Sequence, residues 1–250
     1  MKTYLLAFSM TQSMFCRIPF PCRRWDEGAR SRMLIFLPVI GAEIGLSWAA
    51  LGLLLRALAV PAPAAALCMC ALPYLMTGFL HLDGFLDVVD AICSWREPEQ
   101  RRAILKDSHV GSFAVVWCVF LILGGYALFA SMPAGLPLGV LILIPVVSRC
   151  CSALAVMTLP PMATSQFRET ADYPRWHRIA LILILLFSTS LAFLLWKSAG
   201  FSLLAVMIGY ALALRRAYRS LEGMNGDIAG FSLCIAELCG VAALALLGGR

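Results

Sequence analysis

Charge is scarce in this chain. Only 14% of its 250 residues are Asp, Glu, Lys or Arg, while 61% are hydrophobic and the mean hydropathy is +0.86. Soluble domains carry about a quarter charged residues, so an ordinary soluble domain is excluded. Also missing is any C-x-x-C pair among the ten cysteines (16, 22, 68, 70, 93, 118, 150, 151, 234 and 239), or any cysteine at metal-ligand spacing from a histidine. Most of these cysteines lie inside apolar stretches and read as small buried hydrophobes, so nothing demands an oxidising compartment. The start, M-K-T-Y-L-L-A-F-S-M-T-Q-S-M-F-C-R, lacks an A-x-A cleavage site, and Thr11, Gln12 and Ser13 interrupt its weak apolar run. Residues 1–32 therefore read as an interfacial or re-entrant segment punctuated by Pro19 and Pro21, and not as a removable signal peptide. No internal repeat is present.

Long apolar runs are abundant. Several reach the roughly 20 residues needed to cross a hydrocarbon layer about 30 Å thick. Spans are predicted at 33–55, 64–82, 110–131, 137–159, 179–196, 199–214 and 229–247. The second contains Pro73 and runs into an acidic motif, so its inner end is expected to be broken or to extend into a site. The fifth and sixth are expected to form a hairpin around 196–200. The predicted fold is all-α: a polytopic integral membrane protein of about 6–7 transmembrane helices in one bundle, a single domain over 1–250. Its first partner is the lipid bilayer.

The net charge of +6 does not point to nucleic acid, because the cations gather in short loops at the ends of apolar segments. Arg17, Arg23, Arg24, Arg30 and Arg32 precede the first span; Arg96, Arg101, Arg102 and Lys106 follow the second. Arg168, Arg175 and Arg178 follow the fourth, and Arg215, Arg216 and Arg219 the sixth. The intervening turns hold only Arg56, no charge, and Lys197. By the positive-inside rule the N-terminus and the loops 83–109, 160–178 and 215–228 are cytoplasmic, and seven spans put the C-terminus outside. No oligomeric state is specified.

The polar motifs all fall on that one face. Asp83, Asp87 and Asp90 stand at i, i+4 and i+7, within about a 60° arc of one helix face. Such carboxylates repel one another unless a cation sits among them, and oxygen-only, anionic sites suit Mg²⁺, which also keeps waters and substrate phosphates. Leu82, Phe85, Leu86, Val88, Val89 and Ile92 fill the other faces of this helix, while Gly84 permits close approach of a phosphate or a neighbouring backbone. His81 points about 160° away from Asp83 and reads as a satisfied polar or interfacial residue. In R-R-A-I-L-K-D-S-H-V-G-S (101–112), Arg101, Arg102 and Lys106 are suited to a diphosphate, Asp107 to a metal or a base role, and Ser108 to capping the next span. In G-M-N-G-D-I-A-G (223–230) the glycines and Asn225 suit a tight turn, and Asp227 sits at a helix start, where capping is the plain alternative. Three ionisable residues fall within spans: Glu43, inside Gly41-Ala-Glu-Ile-Gly45, Arg149 and Glu237. They are expected to face a polar cavity or one another.

In order and spacing these segments resemble the cobalamin (5′-phosphate) synthase family, also called adenosylcobinamide-GDP ribazoletransferases. That family typically shows H-L-D-G-L-x-D-T-x-D-G, M-K-D-S-R-x-G-x-F-G and a late G-G-x-T-G-D-x-x-G-A before a glutamate-bearing helix. Here they stand as H-L-D-G-F-L-D-V-V-D (81–90), L-K-D-S-H-V-G-S-F-A (105–114) and E-G-M-N-G-D-I-A-G-F (222–231), followed by Glu237. F-C-R-I-P-F-P (15–21) and L-P-V-I-G-A-E-I-G (37–45) look like the family's N-terminal region. Ala91, His109, Ala114, Glu222, Asn225, Phe231 and Cys234 depart from its pattern, and the missing arginine at 109 bears on phosphate contacts.

The resemblance implies an enzyme that joins adenosylcobinamide-GDP to α-ribazole 5′-phosphate or α-ribazole, giving adenosylcobalamin 5′-phosphate or adenosylcobalamin and GMP. The 5′ oxygen of the acceptor is expected to attack the cobinamide-linked phosphorus. By the same resemblance Asp83, Asp87, Asp90 and Asp227 hold Mg²⁺. Lys106, Arg101 and Arg102 hold the diphosphate or the leaving GMP, and Asp107 aligns or deprotonates the nucleophile. Ser108, Gly84 and Asn225 contact substrate, while Glu43, Arg149 and Glu237 give intramembrane polar support. The place implied is a prokaryotic cytoplasmic (inner) membrane, with the site facing the cytoplasm. Other membrane transferases use Asp clusters, but the CDP-alcohol signature is absent and prenyltransferases usually carry two separated Asp-rich motifs. A corrinoid or cation transporter would place its acids at mid-membrane.

Overall fold

The computed structural model describes residues 2–20, 24–133, 135–162, 165 and 173–248; Pro21, Cys22, Arg23 and Arg168 lie outside the described residues. Among the described residues ten α-helices follow one another: α1 (Lys2–Phe15), α2 (Leu37–Ala57), α3 (Ala62–Met76), α4 (Leu80–Cys93), α5 (Pro98–Ile104), α6 (Ser112–Ala130), α7 (Val140–Thr158), α8 (Arg175–Trp196), α9 (Phe201–Leu221) and α10 (Gly226–Leu247). Among the described residues the only β pairing is an isolated bridge between Pro161 and Met224. The architecture is all-α, as composition requires.

Among the described residues five segments are long and apolar enough to cross a membrane: Leu34–Ala57, Ser112–Ala130, Val140–Thr158, Arg175–Leu221 and Gly226–Leu247. The bent pair α3 and α4 makes a sixth. The 47-residue segment Arg175–Leu221 folds back on itself at Lys197, which takes φ 46°. Trp196 packs on Gly139 at the entrance to α7, while Gly223 packs on Met162 just past α7's other end. Helices α8 and α9 therefore each run the length of α7, and the predicted hairpin is present.

The core is built around α7. Its apolar residues are buried on every side, against α2, α8, α9 and α10. Lipid tails are as apolar as leucine, so close backbone packing has to hold such helices together. The Gly41-x-x-x-Gly45 stripe supplies it: a Cβ at Gly41 would lie 2.5 Å from the Pro145 carbonyl oxygen, and one at Gly45 2.4 Å from that of Ile142. By contrast α6 buries only Ala114, Leu121 and Gly125 and turns the rest of its surface outward.

One boundary is corrected. The sixth span, predicted to end at 214, continues as α9 to Leu221, so Arg215, Arg216 and Arg219 lie on helix and not in a loop. Ala213, Ala217, Ser220 and Leu221 keep the buried stripe going at i, i+4, i+7 and i+8, and long arginine stems run along such surfaces with their heads in water.

Two residues turn α3 into α4. Gly78 (φ 61°) and Phe79 (φ 65°) are both left-handed, and the helices meet at 90°. Left-handed backbone is free for glycine but strained for phenylalanine. The predicted break beyond Pro73 is thus a right-angle joint after Met76, and α4 lies across the end of the bundle.

Candidate active site

Helix α4 is amphipathic across that end. Leu82, Phe85, Val88, Val89 and Ile92 are buried, while Asp83 is exposed and Asp87 and Asp90 are half-buried along the other face. It crosses the start of α10 at van der Waals distance. A Cβ on Gly84 would lie 2.9 Å from the Asp227 Cα, and one on Gly230 3.1 Å from the His81 carbonyl oxygen. Phe85 stacks on Phe231 with centroids 5.6 Å apart. The two glycines thus bring Asp227 of one helix beside the aspartate row of another. The carboxylates of Asp83, Asp227 and Asp90 all act on Asp87 in the middle of the row.

Asp90 has a second task. Its carboxylate accepts from the Gly111 and Ala114 N–H groups, the latter at 2.9 Å, and so satisfies donors at the start of α6. The cap of this span therefore comes from α4, and Ser108, read from the sequence as its cap, is exposed in the preceding loop. Gly111 makes room for it, because a Cβ there would lie 2.5 Å from an Asp90 carboxylate oxygen. Gly111→Ala is expected to lower stability by about 1–2 kcal/mol, the usual worth of an N-cap. Thermal unfolding in detergent checks this; an unchanged midpoint would remove Asp90 from the capping role.

Asp227 does not cap its own helix. Asn225 takes that position, its Oδ1 accepting from the Ile228 N–H at 2.9 Å while its Nδ2 donates to the Asp227 carboxylate at 2.7 Å. Asn225 thus fixes the orientation of Asp227 beside the row.

Among the described residues no group of three or more His, Cys, Asp or Glu side chains is gathered closely enough to hold a metal ion. The donor set of Asp83, Asp87, Asp90 and Asp227 is instead open and purely oxygen. That suits Mg²⁺, which binds through one or two carboxylates and completes its shell with waters and substrate phosphates.

The remaining candidates divide by location. Lys106, Asp107 and Ser108 are exposed in the loop between α5 and α6. Asp107 accepts from the His109 backbone N–H at 3.0 Å and lies 2.6 Å from its ring Nδ1, and His109 holds its carboxyl below the ordinary range. Arg102 is drawn into ion pairs with Glu99 and Glu222 and donates to the Leu221 carbonyl. Arg101 reaches the Ser220 carbonyl. Both arginines tie α5 to the end of α9.

Of the intramembrane residues, Arg149 and Glu237 pair at 2.7 Å with side chains 1% and 11% exposed, and Ser148 donates to the same glutamate oxygen. Glu43 accepts from Gln12 of α1 at 2.8 Å. Two of the three polar residues that broke the apolar pattern of the N-terminal segment face inward: Thr11 and Gln12 are buried, while Ser13 is exposed. Sequence reasoning left Gln12 and Ser148 out, since neither stands in a motif. His81 is also corrected: half-buried and stacked on Phe15, it leaves its Nε2 buried with no partner among the described residues.

Comparison with known proteins covers almost the entire chain. The family model described as Cobalamin-5-phosphate synthase matches residues 7–245. An adenosylcobinamide-GDP ribazoletransferase of Clostridium perfringens (strain SM101 / Type A) is 33% identical over 256 residues, covering 99% of this chain and 100% of the relative. One from Desulfitobacterium hafniense (strain Y51) is 35% identical over 213 residues, covering 81% of this chain and 82% of the relative. No solved structure matches.

Proposed function

Because the chain belongs to the cobalamin-5-phosphate synthase family, we propose that it transfers the cobinamide phosphoryl group of adenosylcobinamide-GDP to α-ribazole 5′-phosphate or α-ribazole. The observation that carries this reading is the meeting of Asp227 with the Asp83–Asp87–Asp90 row at one end of a membrane bundle.

The bond changes follow from the substrates. A ribose hydroxyl oxygen of the acceptor bonds to the cobinamide-linked phosphorus, the P–O bond to the guanosine phosphate breaks, and GMP leaves with that electron pair. Adenosylcobalamin 5′-phosphate keeps the acceptor's 5′-phosphate, so its 5′ oxygen is already esterified. Atom balance therefore corrects the expectation that the 5′ oxygen attacks: another ribose hydroxyl must be the nucleophile.

Phosphoryl transfer needs positioning and neutralisation of oxygen charge above all. Asp83, Asp87 and Asp227, with the remaining lone pairs of Asp90, would hold Mg²⁺, which would supply that neutralisation. Asn225 orients Asp227, and Asp90 fixes the row against α6. Lys106 of the adjoining loop, whose side chain makes no hydrogen bond or ion pair among the described residues, would meet the leaving GMP, and Asp107 beside it would take the hydroxyl proton. Arg101 and Arg102 shape the site by docking α5 on α9. The bilayer would accommodate an apolar corrinoid, and the asymmetry of the basic loops supports a polar end that faces the cytoplasm at the inner membrane of a prokaryotic cell.

The purified protein in liposomes is expected to release GMP from adenosylcobinamide-GDP only when an α-ribazole acceptor and Mg²⁺ are both present, and EDTA is expected to stop it. Corrinoid flux without GMP release would replace this reading with a transporter; undiminished turnover in EDTA would remove the metal.

A further inference from the structure

A pocket of about 80 Å³ opens against Asp227 at the start of α10 and is lined also by Arg149 and His81. At about 15 Å³ per water it has room for roughly five waters. Phe15, Leu37, Val156 and Leu233 give it apolar walls. From Asp227 to Leu233 it follows α10 for about 9 Å.

Arg149 is only half used. Its Nη1 donates to Glu237 and to the Pro145 carbonyl, yet its Nε and Nη2 are buried with no partner among the described residues. Those two N–H groups are one edge of a planar fork and point the same way, the arrangement that meets two oxygens carried on one atom. A buried donor left without a partner costs about 1–3 kcal/mol, and more when charged, so the free edge is a position for a ligand. His81 Nε2 adds a third unpartnered buried nitrogen on the wall of the same pocket.

Three observations select the ligand. The edge calls for a two-oxygen acceptor. Gly226, Asp227, Ala229 and Gly230 line the pocket with the first turn of a 22-residue helix, whose positive end favours an anion. At about 80 Å³ the pocket has room for a single phosphate group and not for a nucleoside diphosphate. We infer that the Nε–Nη2 edge of Arg149, with His81, binds the 5′-phosphate of α-ribazole 5′-phosphate, a terminal phosphomonoester that takes no part in the bond changes. This rests on the function proposed above and makes Arg149 the residue that separates the phosphorylated acceptor from the unphosphorylated one. Lysine at this position keeps the charge facing Glu237 and loses the fork.

The test compares kcat/KM for α-ribazole 5′-phosphate and for α-ribazole, with adenosylcobinamide-GDP saturating, in wild type and Arg149→Lys. The ratio of the two values is expected to fall about tenfold or more, through KM of the phosphorylated acceptor. Equal losses on both acceptors, the result of a merely structural Arg149, would overturn the assignment, as would an unchanged ratio. If Arg149→Lys does not accumulate in the membrane, His81→Gln leaves the Arg149–Glu237 pair intact; a ratio lowered about threefold supports the pocket, and a constant ratio overturns it. Wild type that releases no GMP with either acceptor would instead strike the proposed function.

Discussion

Asp87→Asn is expected to reduce GMP release by at least about 100-fold while leaving the protein folded and slightly more resistant to heat. Removing a preorganised electrostatic element from an active site typically costs about 10²–10³ in rate. Asp87 stands in the middle of the row, and the carboxylates of Asp83, Asp90 and Asp227 all act on it. It makes no hydrogen bond or ion pair among the described residues, so an isosteric amide breaks no contact and removes a buried like-charge repulsion. Activity and stability should thus move in opposite directions, as they do where a site is built at the expense of the fold. Asp90→Asn should differ, because Asp90 also caps α6. GMP release in liposomes and a melting curve in detergent read the two effects; an Asp87→Asn enzyme with near-normal turnover would take the row out of the chemistry.

The second large effect concerns stability. Glu237→Leu is expected to destabilise the protein by about 3–5 kcal/mol, because it leaves the Arg149 guanidinium buried without its counter-charge. Adding Arg149→Met should restore most of that loss, since a buried ion pair is often replaceable by well-packed apolar residues. Unfolding titrations of the two single variants and the double variant measure the coupling directly. Additive effects would mean the pair contributes nothing beyond its separate members. The double variant should remain unable to favour the phosphorylated acceptor even when its stability is recovered, which separates holding the bundle from holding a phosphate.

The spans were legible because apolar length is a property of the sequence itself, and the hairpin at Lys197 was legible from the break in that length. The joint between α3 and α4 was half legible: Pro73 warned of a break, but nothing local says that Phe79 accepts left-handed backbone. Helix α9 overran its predicted end because three arginines look like a loop when only charge is read, while Ala213, Ala217 and Leu221 keep a buried stripe going beneath them. In the site, the row Asp83–Asp87–Asp90 was legible from period alone. That Asp227 stands against it was not, since the contact depends on two glycines, 84 and 230, on helices far apart in the chain. Likewise Arg149 and Glu237 were each conspicuous within apolar runs, but their pairing, and the edge of Arg149 that pairing leaves free, exist only in three dimensions.

The joint also settles how the acids can move. Each backbone N–H from 77 to 80 is already bonded, to the carbonyls of Pro73, Leu75, Tyr74 and Thr77 in turn. The far end of α4 is pinned through Asp90 to α6. A beam fixed at both ends has no hinge, so the aspartates behave as an anvil and not as a jaw. Whatever closure the reaction requires must come from the loop carrying Lys106 and Asp107 or from the substrates themselves, which travel to the acids because the acids cannot travel to them.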